Sequence, residues 1–181
     1  GGPRRRRTRR RRHVSRPPGV RALGIDLGSK RIGIAVSDIS GAVASALTTV
    51  HRSSSRRHDH AAIAKLVRDE EAELVVVGLP LSLDGTKGPA ARSAEKEAGQ
   101  LASVVGVPVA MYDERFTTVT AERGMLEAGL DARQRRKVVD KVAAAVMLQA
   151  WLDHRAETWR REAATGTPTD AATDTRAGVG A

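Results

Sequence analysis

Residues 73–79 read ELVVVGL, a continuous apolar run without the polar alternation of a half-exposed strand. Such a run suits a strand covered on both faces, which requires parallel neighbours and a helix layer on each side of the sheet. Its surroundings agree. After a loop containing Pro and Gly comes a helical pattern over 89–105, opened by Pro89, and then a second apolar strand over 107–112. Upstream, 20–27 and 31–36 are β-type runs separated by a tight Gly-Ser-Lys turn, and 41–50 suits a third antiparallel strand. Ser53–Ser55 precede a helix over 56–70 with Ile63, Leu66 and Val67 on one face. A helix over 118–127 stops at Gly129, a polar segment covers 131–137, and a long helix follows over 138–154. This order predicts an α/β domain: a mixed five-stranded sheet, three antiparallel strands joined to parallel βαβ units, flanked by helices.

With 181 residues and 40% hydrophobic content the chain builds one core but scarcely two. The expected organisation is a folded domain over 20–154 between disordered ends, 1–19 and 155–181, whose compositions offer no apolar face to bury. There is no cysteine, which excludes disulfides, a cysteine nucleophile and thiolate metal sites. No stretch approaches the roughly 20 apolar residues of a membrane helix, and the first residues carry arginines without a signal-peptide apolar block, so a cytoplasmic protein with no membrane partner is expected. The net charge of +10 is concentrated at the start of the chain. Residues 1–21 contain ten arginines and no acid, leaving 21 basic against 21 acidic residues over the rest. An arginine block of this kind binds any polyanion through phosphate contacts and counterion release, without sequence preference.

Three carboxylates stand in unusual places. Asp26 lies within an apolar strand, where an ionised carboxylate is costly unless it reaches the strand end or meets a cation; the plainer reading is an Asp opening the turn into Gly28-Ser29. Glu114 follows the strand 107–112, at the carboxyl end where open α/β sheets place their ligands. Its neighbour Asp113 is a rival, since adjacent residues leave a strand in opposite directions, and the Asp-Glu-Arg triplet also reads as an exposed loop. Asp140, in a helix starting near Val138, shares a face with Ala143, Ala144, Met147 and Trp151. A first-turn carboxylate is stabilised by the helix dipole, but such residues point to solvent, and one on an inward face is better explained by a shared cation. Carboxylates without cysteine or a histidine cluster specify hard oxygen ligation, hence Mg²⁺ or Mn²⁺, and two such ions would serve phosphodiester hydrolysis.

The blocks GIDLGSKRIGIAVSD (24–38), VVVGLPLSLDGTKGPAA (75–91), YDERFTTVTAE (112–122) and VDKVAAAVMLQAWLD (139–153) resemble, in the same order, those of the YqgF/RuvX family of RNase H-like proteins, described as Holliday-junction resolvase homologues and pre-16S rRNA nucleases. The resemblance implies an RNase H-like fold and a metal-dependent nuclease of ribosome biogenesis, processing the 5′ end of pre-16S rRNA, with a Holliday-junction resolvase as the alternative. It also implies that Asp26, Glu114 and Asp140 are the catalytic metal ligands. Lys30, Arg31, the loop 78–88 with Lys87, and Arg115 would then contact substrate. The implied partner is structured rRNA precursor or branched DNA; symmetric junction cleavage would need a homodimer, which rRNA trimming does not.

Two other classes compete. The turn after Asp26 is similar to the first phosphate loop of actin- and hexokinase-type ATPases, but those need a second domain that this length does not supply. A non-catalytic RNA-binding factor would use the arginine tail as its working part. With 2% aromatic residues, stacking-based readout of single strands is disfavoured and recognition of shape and phosphate is expected.

Overall fold

The structure is a computed structural model in which residues 17–115 and 132–165 are described, the side chains of 132–142 excepted. The elements are β1 (Ala22–Leu27), β2 (Arg31–Ser37), β3 (Ala44–His51), α1 (Arg56–Asp69), β4 (Leu74–Leu79), α2 (Pro89–Val105), β5 (Val109–Asp113) and α3 (Ala132–Thr165). The strands form one sheet in the order β3-β2-β1-β4-β5. β1, β2 and β3 pair antiparallel, while β4 runs parallel to β1 and β5 parallel to β4. The expected mixed sheet is the one observed, with α1 and α2 on one face and α3 on the other. The helix expected over 118–127 lies outside the described residues.

β4 explains why its sequence is apolar throughout. Val75 and Val77 pack beneath α1 and α2, Leu74 and Val76 beneath α3, and all four are buried. Period-2 alternation sorts the other strands in the same way. Leu23 and Ile25 of β1 belong to the α1/α2 core, with Ile63, Val67 and Leu101. The opposite face of β1 and β2 presents small residues, Ala22, Gly24, Gly33 and Ala35, to α3. A Cβ built on Gly24 would stand 2.8 Å from Leu148 Cβ and 3.2 Å from the Ala144 carbonyl oxygen, so α3 lies almost on the sheet backbone.

Two boundaries differ from expectation. α3 begins at Ala132 rather than near Val138, because Ala132-Arg133-Gln134-Arg135-Arg136-Lys137 is polar but made of strong helix formers. Asp140 is therefore the ninth helical residue, beyond the reach of the first-turn dipole. At the other end α3 runs through Thr165, correcting the expected disorder from residue 155; Ala, Glu and Arg sustain the helix and Arg161 pairs with Glu157 one turn away.

Candidate active site

Asp26 is the fifth residue of β1 and pairs with Gly33 of β2 on the α3 side of the sheet. A Cβ at Gly33 would stand 3.6 Å from Asp26 Cβ, 3.9 Å from its Oδ2 and 3.4 Å from Ala144 Cβ. The missing side chain at position 33 thus leaves the carboxylate room beneath the helix. Glu114 stands immediately after β5, its N–H donating to the Leu79 carbonyl at 3.1 Å. β5 is two strands from β1, about 10 Å at ordinary strand spacing. The intervening strand β4 presents Gly78, paired with Tyr112, and the Glu114 carboxylate occupies the space above it. A Cβ at Gly78 would collide with Glu114 Oε1 and lie 3.2 Å from its Cδ. Two glycines therefore create the arrangement: one beside Asp26, the other under Glu114.

The electrostatics follow from this packing. Burial, and then the negative charges of Asp26 and Asp113, push the Glu114 carboxyl up to about 7. Asp113 leaves the strand on the opposite side and is engaged by Arg115, whose Nε donates to both carboxylate oxygens at 3.1 and 3.0 Å and whose second terminal nitrogen stands 2.6 Å from Oδ2. Those bonds hold the Asp113 carboxyl below its ordinary value. Asp113 is thus the partner of Arg115 and acts on Glu114 through its charge. Arg115 also reaches the loop after β4, donating to the Leu83 carbonyl at 3.5 Å.

The pair offers only oxygen donors, and an ionised Glu114 there is opposed by burial and by its acidic neighbours; a hard divalent cation fits both facts. No group of three or more His, Cys, Asp or Glu suited to a metal is present among the described residues. The Asp140 side chain lies outside them. Its place in α3 is one turn before Ala144.

Asp26, Gly78 and Glu114 line a cavity of about 610 Å³ at the carboxyl ends of β1 and β4, together with the β1–β2 turn, the β3–α1 loop and the start of α2. Of the expected substrate contacts, Lys30 and Arg31 are exposed at that turn. Lys87 Nζ lies 2.5 Å from Glu95 Oε1, and Arg115 is committed to Asp113. The turn is tight, since a Cβ at Gly28 would collide with the Arg31 carbonyl oxygen.

The same cavity is walled by charges that the reading of the sequence did not single out. Arg52, just past β3, pairs through both terminal nitrogens with Glu97 of α2. Glu97 also meets His60 Nε2 at 3.3 Å and Arg56 at 3.6 Å. Asp59 accepts from the Ser53 N–H at 3.0 Å, while its Oδ2 has no hydrogen bond and lies 3.9 Å from Arg52. Burial pushes Glu97 and Asp59 up, but the bonds and charge of their partners outweigh it and both stay below their ordinary values. The signal was available in the sequence: Glu97 falls on the apolar face of α2 defined by Ala91, Ala94, Ala98 and Leu101, and Asp59 and His60 fall on that of α1.

Comparison with known proteins places this fold. T. thermophilus RuvC, solved in complex with a Holliday junction substrate, superposes with a TM-score of 0.52 over 77% of this chain and 97% of that one, at 17% identity, which identifies the sheet and its helices as RNase H-like. A Myxococcus xanthus protein provisionally named a pre-16S rRNA nuclease is 48% identical over 75% of this chain and 90% of its own length. An Anaeromyxobacter dehalogenans protein of the same name is 50% identical over 76% of this chain and 99% of its own. The profile of the RuvX family, described as Holliday junction resolvase, matches residues 20–154, and the chain belongs to that family.

Proposed function

We propose that residues 20–154 form a divalent-metal-dependent nuclease domain that hydrolyses phosphodiester bonds, with the 5′ extension of pre-16S rRNA as its substrate. The observation that carries this is that Glu114, lying over Gly78, shares one cavity with Asp26: two carboxylates from strands that are not neighbours, one of them held up to about 7 by burial and then by the other's charge. Two carboxylates this close raise each other's cost of ionisation, and a shared cation lowers it. Asp26 and Glu114 would hold the cation, Mg²⁺ or Mn²⁺, and Asp140 would complete the set. In support, Leu148 lies over Gly24 and Ala144 over both Gly24 and Gly33; four further residues along α3 carry position 140 about 6 Å onward. A cation bound there supplies charge neutralisation at the phosphate and an activated water.

The remaining work belongs to the chain. The close seating of α3 on the glycine-lined sheet and the 3.1 Å bonds from the Gly28 N–H to the Asp26 carbonyl and from the Glu114 N–H to the Leu79 carbonyl hold the backbone at both carboxylates before substrate arrives. Lys30 and Arg31, exposed at the β1–β2 turn, would meet flanking phosphates, as would Lys87 once it leaves Glu95. Arg115 acts differently: locked to Asp113 and touching the loop after β4, it braces that loop beside Glu114. The substrate preference follows the names of the relatives at 48% and 50% identity.

The test is a side-by-side incubation of the protein and Mg²⁺ with a 5′-extended 16S rRNA precursor and a four-way DNA junction. Trimming of the RNA with the junction left intact is the expected outcome. Paired, symmetric nicks in the junction alone would transfer the assignment to recombination.

A further inference from the structure

Nothing in the metal chemistry explains why Glu97 and Asp59, 2% and 1% exposed, lie beside a guanidinium in the cavity wall. A buried ion pair is no better for stability than well-packed apolar residues, so its retention asks for another reason. The contacts of Arg52 supply one. Its Nε donates to the Gly28 carbonyl at 3.1 Å, and its backbone N–H donates to the Lys30 carbonyl at 3.0 Å. The β1–β2 turn is therefore gripped at two of its carbonyls by one residue. That residue's side chain is in turn fixed on both terminal nitrogens by Glu97, anchored in the buried face of α2. Asp26 itself needs no such support, because its register against Gly33 is set by the β1–β2 ladder. The turn beyond the ladder does need it. Among its described contacts, the turn's own backbone bond is Gly28 N–H to the Asp26 carbonyl at 3.1 Å; Gly28 and Ser29 line the cavity, and the exposed Lys30 and Arg31 follow directly.

We propose that Arg52, oriented by Glu97, is a positioning residue that holds the Gly28–Lys30 turn as a rigid wall for the substrate backbone beside Asp26, setting the affinity for nucleic acid and leaving the metal pair untouched. Guanidinium geometry is required for this. A lysine at position 52 has one nitrogen and cannot bond the Gly28 carbonyl and both Glu97 oxygens together. The inference rests on the nuclease reading of the cavity.

Three variants test it: Arg52→Lys, Glu97→Gln, and the apolar double variant Arg52→Met/Glu97→Leu, which removes both members of the pair and leaves Asp59 its bond from the Ser53 N–H. Readouts are the thermal midpoint, the Mn²⁺ concentration for half-maximal cleavage, KM and kcat on the rRNA precursor, and ¹⁵N relaxation of Ser29 and Lys30. All three variants should raise KM about 10–100-fold, as loss of supporting contacts around a site commonly does, with the Mn²⁺ midpoint unchanged. The turn should loosen from order parameters near 0.85 to below about 0.6. The double variant should do this while melting within a few degrees of the wild type, which separates positioning from stability. A stable variant whose turn stays rigid and whose KM is unchanged overturns the proposal; should the double variant not fold, Arg52→Lys decides by the same two readings. If the wild type cleaves no RNA, the nuclease reading fails, while relaxation still decides whether Arg52 holds the turn.

Discussion

Gly78 has no chemistry of its own, yet the carboxylate pair depends on it. Adding a methyl group there places Cβ against Glu114 Oε1, the free end of a flexible side chain, so the chain relieves the collision by swinging Glu114 aside. Gly78→Ala should accordingly cost little stability, under about 1 kcal/mol in urea denaturation, while lowering kcat about 100-fold, the scale expected when a reacting group is misplaced by an ångström. Glu114 makes a second prediction, through pH. Its carboxyl is raised by burial first and by Asp26 second, from an ordinary 4.5 to about 7, so the folded state binds more protons than the unfolded state across that window. Stability attributable to Glu114 is therefore present below about 4.5 and lost as pH rises through about 7. Glu114→Gln removes this dependence: in the absence of metal, the melting temperature of the wild type should fall relative to the variant between those two pH values. Mn²⁺ should reverse the difference above it, because a bound cation favours the ionised form. In Asp26→Asn the Glu114 titration, followed by carboxyl ¹³C shift, should move downward, because the Asp26 charge is removed.

Helix α3 carries Asp140, the third ligand proposed, and its seat on the sheet is a stripe of small residues. Gly24 is the tightest point of that stripe, with Leu148 Cβ at 2.8 Å and backbone oxygen at 3.2 Å from where its own Cβ would be. Here the obstacle is a helix backbone rather than a flexible tip. Gly24→Ala should thus destabilise the fold by about 1–3 kcal/mol in urea denaturation, and cleavage should fall with it as the helix lifts from the sheet. The elements themselves were largely legible in the sequence. ELVVVGL announced a strand buried on both faces, and Pro89 opens α2 where the pattern placed its start, with the left-handed Gly106 following its last residue. α3 was less legible. Its first two turns are written in Arg, Gln and Lys, which periodicity reads as a polar loop although their intrinsic preference is helical. Asp26 and Glu114 were legible because a carboxylate at the carboxyl end of an apolar strand is out of place. The roles of Gly33 and Gly78 were not, since the value of a missing side chain depends on what a strand two places away sends across it. Arg52 and Glu97, 45 residues apart in the chain, meet only in the folded molecule.

The excess charge of the whole molecule is concentrated at the start of its sequence. Of the ten arginines at positions 4–21, only Arg21 lies among the described residues, where it is part of the fold: it bonds the Glu70 and Ser37 carbonyls at 2.7 and 3.0 Å and pairs with the Glu70 carboxylate at 2.6 Å. Described chain begins at Pro17, and Arg155 of α3 bonds the Pro18 carbonyl at 3.0 Å. This is the starting end of β1, whereas Asp26 lies toward its other end, about 13 Å along a strand rising 3.3 Å per residue. The nine arginines that precede Arg21 in the sequence are expected to add affinity through phosphate contacts without sequence preference. Deleting residues 1–16 should flatten the dependence of log affinity on log salt by several units and raise KM at physiological salt, with kcat preserved. The central claim, that Asp26 and Glu114 cleave nucleic acid by holding a divalent cation between them, is tested most directly by following a labelled 5′-extended 16S rRNA precursor with Mg²⁺, Mn²⁺ or EDTA, using wild type, Asp26→Asn and Glu114→Gln. The account predicts cleavage by the wild type in either metal, none in EDTA, and none by either variant despite an unchanged circular dichroism spectrum. Cleavage that persists in EDTA, or in both folded variants, would contradict it.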